Sequence, residues 1–510
     1  MESLADVWRS NARYNGDRIA AVDGDRSICF GDAYDRAQRL ASAIHRHGLR
    51  KHDRVGMLAM NRLEWVEYLG ATALGGMIGA LINYRLAGPE IAWIVNDCTP
   101  RILIFEEQYS ELVAGLRAEM KSVELYVCIG TPPDWAESYE EFVASGDPQG
   151  APVEVGPETY AMLMYTSGTT GRPKGVLKEQ RQFAANFETN IIVMNMRGDD
   201  RLLVMMPLFH NGACSLFYTM FMAGGTTHIH RKFEAVDVLA TIDQDRITMM
   251  HMAPTLIQTI MDHPEIDKYD LSSLRVVNYA AAPMPVSLLR RCVAKFGKIF
   301  LNSYGATEAG GTVLYPHQHY LDGTPEQVAR LPSLGQPFPN AKVRVVDDEG
   351  LDCPPGVAGE ILLSSPNTMS GYWNNHAATL EVLRDGWYHT GDVGTLDKDG
   401  FLFLVDRKKD MIISGGENIY CREVEEALME HGSLVEVAVI GVPDPYWGEN
   451  VKAVAIRKPG ATVTEAELIG FCATRIASYK KPKSVDFVDD MPRLPTGKVR
   501  KNILREQYRQ

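Results

Sequence analysis

The stretch Met164-Tyr-Thr-Ser-Gly-Thr-Thr-Gly-Arg-Pro-Lys-Gly-Val176 sets hydroxyls, glycines and one lysine in a loop that directly follows an apolar run, Tyr160 to Met164. Glycines let a backbone approach a bound group closely and reach conformations barred to other residues. Successive N–H groups, together with Ser and Thr hydroxyls, line an anion-binding concavity. Thr166, Ser167, Gly168, Thr169 and Thr170 offer such a set, and Lys174 adds a mobile positive charge. The loop is not a Walker A element, which needs Gly-x4-Gly-Lys-Ser/Thr. Here Lys174 is followed by Gly175, and no hydroxyl comes next. A flexible Ser/Gly-rich linker would have the same composition, so the rest of the chain has to decide between the two.

With 510 residues the chain is too long for a single core, and two or more domains are expected. It is 45% hydrophobic and 23% charged, ordinary for a globular protein, and its formal net charge is −13. That charge argues against a general nucleic-acid or anionic-membrane surface. Anionic substrates would instead need local clusters of cations. The eight cysteines, at 29, 98, 128, 214, 292, 353, 421 and 472, are scattered, with no Cys-x-x-Cys pair. With no secretory pattern at the N-terminus, reduced thiols in a cytoplasmic protein are the expectation. The longest apolar stretch, about Leu69 to Ile82, is too short to span a bilayer and reads as a tightly packed buried helix.

Helical and strand patterns alternate through the first four hundred residues. Asp32 to His47 reads as an amphipathic helix with Ala37, Leu40, Ala41 and Ile44 on one face. Arg54 to Met60 reads as a buried strand followed by a helix from Arg62, and Leu202–Met206, Thr226–His230 and Val276–Ala280 read as further strands. Such alternation implies layered α/β subdomains. From about Ser333 the pattern turns to short strands, Lys342–Val346, Gly359–Leu363 and Phe401–Val405, and suggests a small β-rich module. After Asp406 it becomes α+β, with a helix near Glu423–His431 and strands near Val435–Ile440 and Val451–Ile456. The charged run Asp406-Arg-Lys-Lys-Asp410 is the expected boundary, giving domains 1–406 and 407–510. His228 with His230, and His317 with His319, have alternate spacing but no further ligand nearby, so hydrogen-bonded strand or loop histidines are expected there.

Further segments, in order, resemble the adenylate-forming (ANL) superfamily of acyl-CoA synthetases, luciferases and peptide-synthetase adenylation domains. Met164–Val176 resembles its phosphate loop, and Asn302-Ser-Tyr-Gly-Ala-Thr-Glu308 its nucleotide motif. The resemblance implies that Asn302, Ser303 and Tyr304 line the nucleotide, with Tyr304 stacking on adenine. It also implies that Thr307 bonds a phosphate oxygen and that Glu308 holds Mg²⁺, a hard cation suited to carboxylate and water. Ala280-Ala281-Ala282-Pro283 resembles the strand end along the adenine, and Tyr279 and Ala280 then border the acyl pocket. Asp392, in Gly386-Trp-Tyr-His-Thr-Gly-Asp392, matches the aspartate that accepts from both ribose hydroxyls; Arg407 matches the arginine beside it. Lys498, in Pro495-Thr-Gly-Lys-Val-Arg500, matches the C-terminal catalytic lysine. Lys409 matches the hinge, and Gly415 and Gly416 the glycine-rich loop that lines the thiol tunnel. His210, in Pro207-Leu-Phe-His-Asn-Gly212, resembles the aromatic gate of the acyl pocket.

What the resemblance implies is a multidomain α/β protein. A large N-terminal domain would hold two α/β subdomains and a small β-barrel, and a small mobile α+β C-terminal domain would follow. The implied activity is an ATP-dependent acid–CoA ligase that uses Mg²⁺ and coenzyme A. The acid would attack the α-phosphate to give acyl-AMP and pyrophosphate, and the thiol of coenzyme A would then take the acyl group. Lys174, Thr307, Glu308 and Lys498 would be the catalytic set. Against a peptide-synthetase adenylation domain, Phe209-His-Asn-Gly-Ala213 has no carboxylate for a substrate amine. A luciferase-like oxygenase stays open at this stage, and a non-catalytic nucleotide sensor is disfavoured because Lys174, Glu308, Asp392, Arg407 and Lys498 are all present. Gly212 and the small Ala280 to Ala282 suggest room for a bulky acid: medium-to-long-chain, aryl or alicyclic. Partners are then small molecules, with no nucleic acid and no transmembrane segment; monomer and homodimer both stay open.

Overall fold

The computed structural model describes residues 2–166, 173–280, 282, 284–407, 410–414, 417–493 and 499–508. The chain divides into two compact units, Met1–Val343 with Leu363–Tyr388, and Arg344–Leu362 with His389–Gln510.

The first unit holds two mixed sheets covered by helices. The eight-stranded sheet runs 371–372, 174–179, 160–166, 78–81, 54–58, 102–106, 125–129, 137–138. From Tyr160–Thr166 across to the far edge every pairing is parallel, while Lys174–Glu179 joins antiparallel. Strands Ile78–Leu81 and Ile102–Glu106 are buried at every position, as central parallel strands with helices on both faces must be. The nine-stranded sheet runs 336–337, 310–314, 300–305, 276–279, 249–252, 201–204, 226–229, 19–23, 26–29. Its five strands from Phe300–Gly305 to Thr226–Ile229 are parallel, and its antiparallel strands lie toward the edges.

Helix Glu64–Gly75 has all of its residues buried. Its small residues make that possible. A Cβ placed on Gly70 would stand 2.7 Å from the Ala37 Cβ and 2.8 Å from the Trp8 ring. Two carboxylates go down with the helix, and each is paired. Arg36 Nε donates to Glu67 Oε1 at 2.6 Å and the Tyr139 hydroxyl to Oε2 at 2.7 Å. Arg62 and Arg26 donate to Glu64. Such pairing is what keeps buried ions tolerable. The helix stops at Gly76, whose φ of 67° is left-handed. The apolar run Leu69–Ile82 is therefore not one helix. It is a helix end, a glycine turn and the strand Ile78–Leu81.

In the second unit, strands 342–346, 359–364 and 387–396 lie in that order, and 402–407 pairs antiparallel with 387–396, Asp392 opposite Arg407. A five-stranded sheet follows, 417–419, 412–414, 448–457 and 434–444, with 484–487 parallel to 448–457. Helices Cys421–Met429 and Glu465–Ala473 cover it through Val424, Leu428 and Leu468. Among the described residues, no helix is long and apolar enough to cross a membrane.

Three of the four paired histidines are hydrogen-bonded, and His317 stacks on Tyr315. His228 Nδ1 meets Asp245 at 3.2 Å and His230 Nε2 meets the Thr241 hydroxyl at 3.0 Å. His319 is wholly buried, Nδ1 against the Tyr315 carbonyl and Nε2 against the Tyr279 hydroxyl, both at 3.0 Å. A carbonyl only accepts, so Nδ1 carries the proton and Nε2 accepts from Tyr279.

Two tests follow from this packing. Gly70→Ala gains helix propensity, about 1 kcal/mol. It also drives a methyl into Ala37 and Trp8, and overpacking costs about 1–3 kcal/mol. Sterics should win, and urea denaturation should show a net loss of stability; a stabilised variant would mean the helices part freely. The second test concerns pH. Burial pushes His251 and His319 down to about 4. An unfolded imidazole titrates near about 6.5. Between those values the unfolded chain binds more protons than the folded one, so stability rises with pH through that window and is complete above it. Each such imidazole contributes up to about 1.4 kcal/mol per pH unit there. His319→Gln should therefore lose less melting temperature than the parent between pH 7 and pH 5, and equal losses would contradict the assignment.

Candidate active site

The antiparallel pair Tyr160–Thr166 and Lys174–Glu179 builds the first part of the site. Its register sets Met164 opposite Val176 and Thr166 opposite Lys174, so the two strands close on either side of the loop read as a phosphate cradle. Ser167, Gly168, Thr169 and Thr170 themselves lie outside the described residues. Lys174, Val176 and Lys178 alternate onto one face of their strand. The Lys174 ammonium lies 5.1 Å from the centre of the Tyr372 ring. The Tyr372 hydroxyl in turn donates to Glu308 Oε1 at 2.8 Å. Lys174 and Glu308, 134 positions apart in sequence by their numbers, are thus joined through one phenol.

Short backbone bonds hold this junction. Met369 N donates to the Glu308 carbonyl at 2.7 Å, Ser370 N to Leu177 at 3.0 Å and Trp373 N to Gly175 at 2.7 Å. Segment 369–373 therefore pins the lysine strand to Glu308, and Tyr372 pairs with Val176. Glu308 is 6% exposed. Burial and the neighbouring carboxylate push the Tyr372 phenol up, so it stays protonated and donates. Buried Lys178 is pushed down to about 8 by desolvation, with Glu308 opposing the shift. A buried carboxylate held by one phenol is a hard oxygen donor. It fits Mg²⁺, which takes one or two protein carboxylates and completes its shell with water and phosphate.

The strand Phe300–Gly305 brings the second part. Asn302 is buried and its side chain reaches the Ser333 carbonyl. Ser303 Oγ donates to Asn278 Oδ1 at 2.6 Å. Tyr304 and Thr307 are half-buried, as is Thr166. Gly305 is exposed, and a Cβ there would stand 2.8 Å from the Ala309 carbonyl oxygen. Tyr279 is buried with its hydroxyl on His319, Ala280 is half-buried and Ala282 exposed. Ala281 and Pro283 lie outside the described residues.

His210 and Gly212 open the helix Asn211–Ala223, His210 being its N-cap. Burial, aided by Arg85, pushes His210 down to about 4, so its ring is neutral at physiological pH. Its Nε2 and the neighbouring Asn211 Oδ1 are buried without a hydrogen-bond partner among the described residues. Gly212 is exposed, and a Cβ there would stand 2.9 Å from His251 Nε2. His251 Nδ1 lies 3.3 Å from the Asn278 carbonyl. Asn278 thereby links His251 to Ser303, so the acyl-side and nucleotide-side candidates share one polar chain.

In the second unit Asp392 is 8% exposed, and its N–H donates to Thr390 Oγ1 at 3.0 Å. Arg407 sits opposite it in the strand pairing. Lys409, Gly415, Gly416 and Lys498 lie outside the described residues. Their flanks are tied together: Asp410 Oδ1 receives Arg505 at 2.7 Å, and Lys501 Nζ meets Glu425 at 2.6 Å.

Tyr372, Lys178, His251 and Asn278 escaped the sequence reading. Tyr372 follows a glycine in a two-residue strand, with no spacing rule linking it to Glu308. Asn278 sits in the run Val276–Ala280 that reads as a strand, and His251 sits in the strand Met249–Met252, which the pattern did not single out.

The profile of the "AMP-binding enzyme" family matches residues 7–373, and that of the "AMP-binding enzyme C-terminal domain" matches 423–498. A feruloyl-CoA synthase of Amycolatopsis sp is 37% identical over 98% of this chain and 97% of its own length. An indoleacetate–CoA ligase of Aromatoleum aromaticum is 38% identical over 94% of this chain and 93% of its own. Among solved structures, the anthranilate CoA ligase AuaEII in complex with anthranoyl-AMP superimposes with a TM-score of 0.89 at 27% identity, covering 99% of this chain and 97% of that one. Residues 7–373 and 423–498 thus place the chain in the AMP-binding enzyme family, and it is an AMP-forming acid–CoA ligase.

Proposed function

We propose that the acid is bulky and ring-bearing, aryl or alicyclic, and that it enters between His210 and the exposed face of Gly212. The observation that carries this reading is the lack of any side chain at Gly212, which leaves His251 Nε2 facing that space. The feruloyl and indoleacetate relatives, whose acids carry rings, support it. A medium-to-long-chain acid is the second reading, favoured by a long-chain-fatty-acid–CoA ligase of Mycobacterium tuberculosis at 33% identity.

In this reading the residues divide the work as follows. Thr166, Ser167, Gly168, Thr169 and Thr170 cradle the β- and γ-phosphates, and Lys174 balances the charge that leaves as pyrophosphate. Glu308 would hold Mg²⁺, which supplies charge neutralisation on the phosphates when bound, and Thr307 bonds a phosphate oxygen. Asn302, Ser303, Tyr304 and the segment Ala280 to Pro283 line the adenosine, with Tyr279 behind them. Asp392 accepts from the ribose hydroxyls and Arg407 supports it. Lys498 contacts the substrate carboxylate and the α-phosphate during adenylation. Catalysis is then mainly positioning and preorganised charge, as phosphoryl and adenylyl chemistry demands. Residues 1–406 form the adenylating part and 407–510 the part that turns about Lys409, bringing Gly415 and Gly416 to the coenzyme A thiol. The eight free cysteines support a reducing, cytoplasmic setting.

The panel experiment is pyrophosphate release from ATP over aryl, alicyclic and straight-chain acids. Ring-bearing acids should give the highest kcat/KM; a preference for straight chains would hand the assignment to the second reading. Lys498→Ala should separate the half-reactions. Loss of one preorganised donor slows adenylation by roughly 10²–10³-fold. Thioester formation from supplied acyl-AMP should change far less, and equal loss in both steps would remove Lys498 from this role. Lys409→Pro fixes φ near −65° and also restricts Lys408. It should retain acyl-AMP formation while single-turnover transfer to coenzyme A collapses. Transfer at parental speed would exclude this hinge.

A further inference from the structure

The two arms of the glycine-rich loop are tied to one residue of a neighbouring helix. Thr166 closes the incoming strand and Lys174 opens the outgoing one, and the Thr166 hydroxyl donates to the Lys174 carbonyl at 3.5 Å. Next to them, Tyr165 and Gly175 are paired across the hairpin. Glycine at 175 lets the Tyr165 ring close on the opposite strand, since a Cβ there would stand 3.1 Å from the ring. The Tyr165 hydroxyl donates to Asp97 Oδ2 at 2.5 Å, within the range of a hydroxyl on an ionised carboxylate. On the other arm, Trp373 N donates to the Gly175 carbonyl at 2.7 Å, and the Trp373 indole Nε1 donates to the Asp97 carbonyl at 3.0 Å. The side chain of Asp97 thus holds one arm of the loop, and its backbone holds the other.

Asp97 is the next-to-last residue of helix Gly88–Cys98. The C-terminal end of a helix is an unfavourable place for an anion. Burial also pushes the carboxyl up, with the Tyr165 phenol opposing the shift. Burial, with Cys98 and Asp97 adding to it, pushes the phenol up in turn, so it stays protonated and donates. Packing alone does not require this pair. Trp93 already meets the Tyr165 ring edge-on at 6.3 Å, and Arg54 lies over the Trp373 ring at 5.3 Å. What the carboxylate adds is direction, because a charge-assisted hydrogen bond fixes an angle as well as a distance. We propose that Asp97 is a positioning residue for the first half-reaction, fixing Thr166 and Lys174 relative to each other so that the loop between them meets the β- and γ-phosphates of ATP. It acts through Tyr165 and Trp373 rather than on the substrate. The inference rests on the reading of the loop and Lys174 as the phosphate cradle. Its consequence is selective: ATP and pyrophosphate feel the loss of Asp97, whereas AMP and acyl-AMP, which have no β-phosphate, do not.

The experiment uses the full-length enzyme with ATP, AMP, inorganic pyrophosphate and the acid that ranks first in the pyrophosphate-release panel. Asp97→Ala should lower kcat/KM for ATP by roughly 10–100-fold and weaken inhibition by pyrophosphate by a comparable factor. Inhibition by AMP, the KM for the acid and single-turnover thioester formation from supplied acyl-AMP should keep their parental values. Tyr165→Phe, which keeps the ring and removes only the hydroxyl, should reproduce this pattern, and the double variant should be no worse than Asp97→Ala alone. Asp97→Asn keeps an acceptor for the phenol and should restore most of the kcat/KM for ATP. A folded Asp97→Ala with parental kcat/KM for ATP, or with equal losses in both half-reactions, overturns the proposal. If Asp97→Ala fails to fold, Tyr165→Phe decides in the same way. Lys174→Ala separates the two levels. If it leaves ATP use at the parental value, the phosphate-cradle reading falls and this inference with it. If it slows ATP use while Asp97→Ala and Tyr165→Phe do not, this inference alone falls.

Discussion

The pairing of Tyr160–Thr166 with Lys174–Glu179 is the constraint on which the first unit's chemistry depends. It is where the parallel run of strands gives way to antiparallel pairing, and it returns the chain at once after the glycine-rich loop. A parallel continuation would have needed a crossover helix and would have carried Lys174 away from Thr166. Because the return is immediate, Lys174 and Lys178 face one way, and segment 369–373 can add to the same edge. That addition delivers Tyr372 to Glu308. A buried carboxylate is expensive without partners. Here a protonated phenol and the field of Lys178 share its support, and neither forms the tight bidentate pair seen at Glu67.

Local pattern made most elements legible. The helix read from Asp32 to His47 is Phe30–Arg46, the strand read at Lys342–Val346 has those bounds, and Thr226–His230 is Thr226–Ile229. Amphipathic periodicity and short apolar runs carry this information directly. The stretch Leu69–Ile82 shows where it fails. A buried helix and a buried parallel strand are both apolar throughout, so periodicity cannot find the boundary, and only the left-handed Gly76 marks it. The site divides in the same manner. Residues inside contiguous motifs, such as Lys174, Glu308 and Asp392, are named by their neighbours in sequence. Tyr372 and His251 are placed by tertiary contact alone, 64 positions from Glu308 in one case and 39 from Gly212 in the other by their numbers.

The second unit is organised around charges that tie distant segments of the same unit. Asp406 accepts from the Arg422 N–H at 3.2 Å, Arg505 reaches Asp410, and Lys501 reaches Glu425, which also accepts from Val439 N at 2.7 Å. The buried Cys421 thiol donates to the Asp410 carbonyl at 2.8 Å. The start of the C-terminal part and its last helix, Lys501–Gln507, are thereby fastened to each other rather than left as tails.

The polar atoms at the start of helix Asn211–Ala223 behave differently. A folded chain pairs nearly all of its buried polar groups. His210 Nε2 and Asn211 Oδ1 depart from that rule at adjacent residues, beside a glycine that exposes the ring of His251. Each such atom sacrifices on the order of 1–3 kcal/mol relative to a paired one. A helix start made of apolar residues would have avoided the loss, and the same helix goes on to bury Leu216, Phe217, Tyr218 and Phe221 without difficulty.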